Sequence, residues 1–222
     1  MCGRFAYPDE TDVIATFSVE VVSAHKEPSA DVRPTQPIRI VIEVAAAQTD
    51  DRRLVRQLRF ARWGLVPSWT KNLDQRLLLI NARSETVLSK PSFRSAALKR
   101  RALVPASGYY EWMRNPDGTK TAYFLHPGDD GVLGFAGLYE WWKAPEGVEV
   151  PGAEDGWLCS ATIITRPALD SLGHIHDRMP VVVPVDMAGV WLDPDITSRD
   201  EVDALIAAMP DPTLVPTEKA PR

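Results

Sequence analysis

Residues 101–126 read RALVPASGYYEWMRNPDGTKTAYFLH, and this stretch decides the fold. Its three short apolar runs, 101–105, 108–113 and 121–126, read as strands. Asn115-Pro116-Asp117-Gly118 separates the last two in hairpin fashion. Working outward, further strands are expected at 56–63, 77–81, 132–139, 157–164 and 179–184. After the Arg33-Pro34-Thr35-Gln36-Pro37 turn, the run IRIVIEVAA shows partial alternation and reads as another strand. An opening helix is expected over 9–17, where Val13, Ile14 and Phe17 fall at helical spacing. Further helices are expected near 84–89, 92–98, 166–172, 185–192 and 199–209, with Pro167 and Pro184 suited to first-turn positions. Many short strands with peripheral helices define an α+β fold on an antiparallel or mixed sheet. The tract 144–156 reads as an exposed loop. One domain is expected over 1–209, followed by a weakly ordered tail, 210–222.

The 222 residues suit one large domain, and 19 prolines with 7 tryptophans favour short segments over a helical bundle. No run of eighteen apolar residues and no N-terminal signal region is present, so a cytosolic protein without a membrane span is expected. Two cysteines, Cys2 and Cys159, supply neither a disulfide framework nor a metal-binding cluster. The net charge of -5 argues against a general nucleic-acid binder, but it averages an uneven distribution. Residues 52–101 hold 13 Lys or Arg against 2 acids, Asp74 and Glu85, which makes that stretch +11. The remaining 12 basic and 28 acidic residues sum to -16. Such a basic third suits a local phosphate-binding surface, with scattered, solvated charge as the plain alternative.

Cys2 carries the distinctive chemistry. A small second residue permits loss of Met1, which leaves one residue with a free α-amine and a thiol. Their reference pKa values, near ~7.7 and ~8.5, make both partly reactive at neutral pH. Such a 1,2-aminothiol takes an aldehyde as a Schiff base and then closes a thiazolidine, an intramolecular step with a high effective concentration. A ring-opened abasic deoxyribose offers that aldehyde. The plain alternative is a cysteine that is simply buried.

Other constellations accompany it. In WGLVPSW, Trp63 suits the core, while Trp69 beside basic residues suits stacking on exposed bases. Asn81 and Arg83, two residues apart after an apolar strand, would share one side of a continuing strand and suit a sugar and a phosphate. Glu111, within an aromatic run, would have a raised pKa and serve proton transfer, or else pair structurally with an arginine. In His174-Ile175-His176-Asp177-Arg178, histidine is a natural proton shuttle that Asp177 or Arg178 could position. His-x-His also raises zinc, but no third ligand at metal-like spacing is evident. Cys159, in an apolar strand, reads as an inert buried thiol.

Together and in order, MCGRFA, WGLVPSW, INARSET, LVPASGYYEW and IHDRMPV resemble the SRAP (SOS response-associated peptidase) family over roughly residues 1–195. The resemblance implies a single α+β domain with a β-barrel-like core and a positively charged DNA channel. It implies a thiazolidine link between Cys2 and an abasic site in single-stranded DNA, which shields the lesion. It further implies that Asn81 positions the deoxyribose and that Glu111 assists ring opening and proton transfer. His176 would act on the sugar hydroxyl or the intermediate, supporting reversal and slow strand cleavage. Arg4 and Arg83 become phosphate contacts, and Arg178 and Trp69 join the DNA surface; on charge more than on motif, Arg94, Lys99 and Arg100 would extend it. Removal of Met1 is the only proteolysis required. No cofactor or metal is expected. The expected partner is abasic single-stranded DNA bound by a monomer, with replication-associated proteins as further candidates and a nucleoid association when DNA is bound.

Two departures stand out. Asp31-Val32-Arg33-Pro34-Thr35 replaces an Asn-Val-Ala-Pro-Thr-like segment, and the family's usual C-terminal elements are hard to find after Pro210. Two rival readings also fit parts of the chain. An N-terminal-nucleophile amidotransferase would use the Met-Cys-Gly start but leaves the later motifs idle. A non-catalytic DNA-binding module would use only the basic 52–101 region.

Overall fold

A computed structural model describes residues 2–46, 53–73, 78–129, 131–168 and 171–219. In chain order the elements are β1 (Phe5–Tyr7), α1 (Glu10–Phe17), β2 (Val21–Val22), β3 (Ser29–Val32), β4 (Pro37–Ala45), β5 (Leu54–Trp63) and β6 (Asn81–Arg83). There follow α2 (Pro91–Lys99), β7 (Arg101–Ala106), β8 (Gly108–Arg114), β9 (Lys120–His126), β10 (Leu133–Lys143), β11 (Ala153–Glu154) and β12 (Trp157–Pro167). The chain continues with β13 (Arg178–Pro180), β14 (Val182–Val183), a 3₁₀ turn at Val185–Met187, α3 (Ala188–Leu192), α4 (Arg199–Ala208) and β15 (Val215–Lys219).

The central feature is a closed barrel. β12, β10, β7, β4 and β5 pair antiparallel in that order, and the ring closes by parallel pairing of β5 with β12 at Ser160–Arg62 and Ala161–Trp63. β7 is buried throughout, Arg101 included, which explains the apolar run 102–106 without alternation. A second sheet, in the order β15-β9-β8-β1-β3, lies against the barrel. Phe5 of β1 meets the barrel's Trp63 edge-on at 5.1 Å, and Tyr109 of β8 meets Phe135 of β10 at 5.9 Å. Within the second sheet, Gly108 permits the close approach of β9 to β8, because a Cβ there would stand 2.5 Å from the Phe124 ring and 2.6 Å from the Leu125 carbonyl. The fold is thus a single-domain α+β structure with a barrel core.

Several expected elements differ. Residues 84–89 form turns rather than a helix. Ser84 N–H goes to Thr165 O at 2.8 Å, prolonging the sheet pairing, and the helix starts only at Pro91, where a missing N–H is harmless. The expected helix 166–172 gives way at its start to the end of β12, which Pro167 reaches by pairing with Arg178; residues 169–170 lie outside the described set. The expected strand 77–81 begins at a residue outside that set and is shifted onward, to Asn81–Arg83. Strands β1, β2 and β3, two to four residues long, were absent from the sequence reading. Loop 144–156 holds the short strand β11. Within the expected tail, 215–219 pairs with β9 through its backbone while all five side chains stay exposed.

Candidate active site around Cys2

Cys2 enters the site on the chain leading into β1. That strand pairs antiparallel with β8, Phe5 opposite Tyr109, and Tyr110 N–H reaches Arg4 O at 2.8 Å. The same register carried two residues further sets Gly3 against Glu111. Cys2 is fully buried, and Asn81 Nδ2, at the start of β6, donates to its carbonyl at 2.9 Å. β6 is fixed by parallel pairing with β12, Asn81 opposite Ile163. Asn81 Oδ1 is buried without a hydrogen-bond partner among the described residues. Such an orphaned acceptor is uncommon in folded proteins and suits a site that receives a ligand.

Glu111 and His176 share a small cleft with Tyr109, Arg178 and Met179. Burial pushes the Glu111 carboxyl above the ordinary carboxylate value, and the positive charge of His176 works against that rise. Burial also pushes the Cys2 thiol up, reinforced by the Glu111 charge, while the Arg4 backbone N–H acts in the opposite direction. Burial thus favours the uncharged form of both groups. His176 Nδ1 lies 3.0 Å from the Arg178 N–H and 2.8 Å from Asp177 Oδ1. The first contact needs an unprotonated Nδ1 and the second a protonated one, so the ring is supported in either state.

The structure distributes the expected DNA contacts unevenly. Arg83, Arg94 and Trp69 are exposed, Trp69 to 62%. Arg4 stacks 5.1 Å above the Tyr110 ring, and its Nε donates to Asp31, which also takes Arg33 Nη2 at 2.7 Å. Asp31 thus already occupies the Arg4 guanidinium. Arg178 is held by Glu85 through both terminal nitrogens and by Thr165 O at 2.6 Å, which ties the His176 turn to the segment after β6. Glu85 and Tyr109, both absent from the sequence-derived site, belong to this surrounding. Glu85 lay inside the quoted INARSET run, but only the β6–β12–β13 arrangement brings it to Arg178.

Part of the basic stretch 52–101 is engaged within the fold. Arg53, Arg56 and Arg100 pair with Glu20, Glu43 and Glu140, and Arg101 is buried against the Trp191, Ala97 and Asp193 carbonyls. Arg52 and Arg76 lie outside the described residues. Trp63 is fully buried with its indole N–H on Ile80 O, in keeping with a core role. Cys159 is buried, and burial pushes its thiol up to about 12. Among the described residues no group of three or more His, Cys, Asp or Glu could hold a metal ion, and no helix is long and apolar enough to cross a membrane.

A five-stranded barrel flanked by a second sheet, with a buried cysteine at position two hydrogen-bonded by Asn81, defines the class. The chain belongs to the SOS response associated peptidase (SRAP) family, whose sequence model it matches over residues 1–218. It is 34% identical over 210 residues to the abasic site processing protein YoaM of Bacillus subtilis, covering 93% of this chain and 85% of that one. It is 33% identical over 186 residues to the abasic site processing protein HMCES of Gallus gallus, covering 75% of this chain and 54% of that one. A crystal structure of a Bacteroides thetaiotaomicron protein shares the fold, with a TM-score of 0.75 at 23% identity over 93% of this chain and 86% of that one.

Proposed function

We propose that this protein processes abasic sites in DNA, and that it captures the ring-opened deoxyribose of single-stranded DNA covalently through Cys2. The observation that supports the reading is the buried Cys2, held by Asn81 through its carbonyl and sensing the charge of Glu111, which in turn shares a small cleft with His176. The names borne by its relatives point to the same lesion.

Loss of Met1 converts the Cys2 nitrogen from a peptide N–H into an amine. The amine adds to the lesion aldehyde and water leaves, giving a Schiff base. The Cys2 sulfur then bonds to the imine carbon, and the thiol proton passes to the nitrogen, closing the thiazolidine. Glu111, held above the ordinary carboxylate range by burial, is suited to carry that proton. Asn81 holds the Cys2 carbonyl with Nδ2 and leaves Oδ1 to accept from the sugar or the amine. His176 serves the sugar hydroxyl, and Arg178, already clamped by Glu85, positions the His176 turn. Exposed Arg83 and Arg94 suit phosphates, and exposed Trp69 suits an unstacked base, which favours single strands.

Intact-mass spectrometry after incubation with an abasic oligonucleotide tests this reading. The adduct is expected to weigh the Met1-less chain plus the DNA less one water, with the modified peptide beginning at Cys2. An adduct that retains Met1, or maps to a lysine, would overturn it.

A further inference from the structure

A sizeable cavity lies away from Cys2. It measures about 520 Å³, within the ~300–1,000 Å³ typical of ligand pockets, and its lining includes β5 and β12 residues beside their short parallel pairing. Its wall reaches Cys159, whereas Asn81 pairs with Ile163 further along β12. Those two β12 positions are separated by roughly 13 Å of strand.

Phe60, Trp141 and Trp157 line this cavity, Phe60 with Arg39 at 4.4 Å over one ring face and Trp157, 43% exposed, with Lys143 at 5.8 Å over one of its own. Arg59 lies 4.9 Å above the Trp141 ring. Arg62 is half-buried and is steadied by Nη1 donating to Gly64 O at 3.1 Å. Gly64 makes that possible: at φ 122° it carries no Cβ, and one built there would stand 3.0 Å from Arg62 Nη1. Among the described residues neither arginine pairs with a carboxylate, and the acid in the lining, Glu154, is exposed. A half-buried guanidinium with one carbonyl partner calls for an anion. Thr35, also in the wall, holds φ at 72°, a conformation a β-branched residue adopts rarely and most often where function demands it.

From these features we infer that the cavity is a nucleotide-binding pocket, with the base against the Trp141, Trp157 and Phe60 rings and the phosphate on Arg59 and Arg62. The nucleotide comes either free from solution or as one residue of a DNA strand. The inference does not rest on Cys2 chemistry, since an intact nucleotide presents no aldehyde.

Calorimetric titration of the full chain carrying Cys2→Ala, with dAMP and deoxyadenosine as probes, is the test. Both are expected to bind, dAMP more tightly. Arg62→Gln should weaken dAMP roughly tenfold and leave deoxyadenosine in place. Trp157→Ala should weaken both by roughly fivefold or more. Unfolding midpoints close to the parent's keep lost binding distinct from lost folding. Displacement of dAMP by a short oligodeoxyadenylate identifies the strand as the source; failure to displace identifies the free nucleotide. Absence of dAMP binding to the parent, or binding indifferent to both substitutions, would overturn the inference.

Discussion

Glu111 carries a cost that its proposed role explains. A buried carboxyl whose proton is held more tightly folded than unfolded contributes most stability below the ordinary value near 4.5. That contribution declines as pH rises through the folded-state value. Glu111→Gln is therefore expected to unfold at a higher temperature than the parent above neutral pH, the difference shrinking as pH falls toward 4.5. The same substitution should slow abasic-site capture by roughly a hundredfold. Thermal scans across pH beside single-turnover capture would check both halves, and a variant slow but no more stable would remove burial from the explanation. Asp31 is the second telling residue, since it holds Arg4 and Arg33 at the surface expected to meet phosphate. Asp31→Asn should tighten binding to intact single-stranded DNA and steepen the log–log salt slope by about 0.7, one further phosphate contact. An unchanged slope in a fluorescence-anisotropy salt series would place Arg4 in the scaffold. Cys2, Asn81, Glu111 and His176 were legible in the sequence as chemistry-bearing side chains in recognisable runs. The Arg4–Asp31 pair was not, because 27 residues separate the partners and only the β1–β3 pairing brings them together.

At the scale of elements, the short strands around β12 organise the site. β6 brings Asn81 alongside Ile163, β13 follows directly on the His176 turn, and the Arg178–Glu85 pair joins the two. Arg178's guanidinium holds Glu85 down at about 2, so this pair stabilises the fold above the ordinary value of 4.5 and ceases to do so as pH falls toward 2. The Glu85 side chain is 48% exposed, so solvent screening limits the pair to about 1 kcal/mol. Glu85→Gln should lose about that much at neutral pH, measured by urea unfolding, and flatten the acid limb of the stability profile. It should also slow capture severalfold by loosening the His176 turn; full stability with full rate would contradict the clamp. Elements with strong local signals were legible: α1, α2 and α4 match periodic runs or a clear proline start, and β4 and β7–β10 match apolar runs. The three earliest strands were not, because β1, β2 and β3 are two to four residues long and exist through the partners they pair with. At 84–89 the pairing of Ser84 with Thr165 overrode a weak helical pattern.

At the scale of the whole molecule, part of the basic stretch 52–101 is engaged within the fold. Four of its thirteen basic residues, Arg53, Arg56, Arg100 and Arg101, answer acids or carbonyls elsewhere in the chain, whereas Arg83, Lys90, Arg94 and Lys99 stay exposed. Closure of the barrel was not readable locally, since it depends on the parallel β5–β12 pairing between residues nearly a hundred positions apart. β15 adds only a fifth strand with exposed side chains, so truncation after Leu214 should lower the unfolding midpoint modestly and leave capture intact. The central claim is that the chemistry belongs to Cys2 and to the lesion together. A denaturing gel of the protein with abasic single-stranded DNA, beside intact DNA and beside Cys2→Ala, addresses it most directly. The account predicts a heat-stable shifted band that requires both the abasic site and Cys2. No such band from protein shown by mass to lack Met1, or a band that persists in Cys2→Ala, would contradict it.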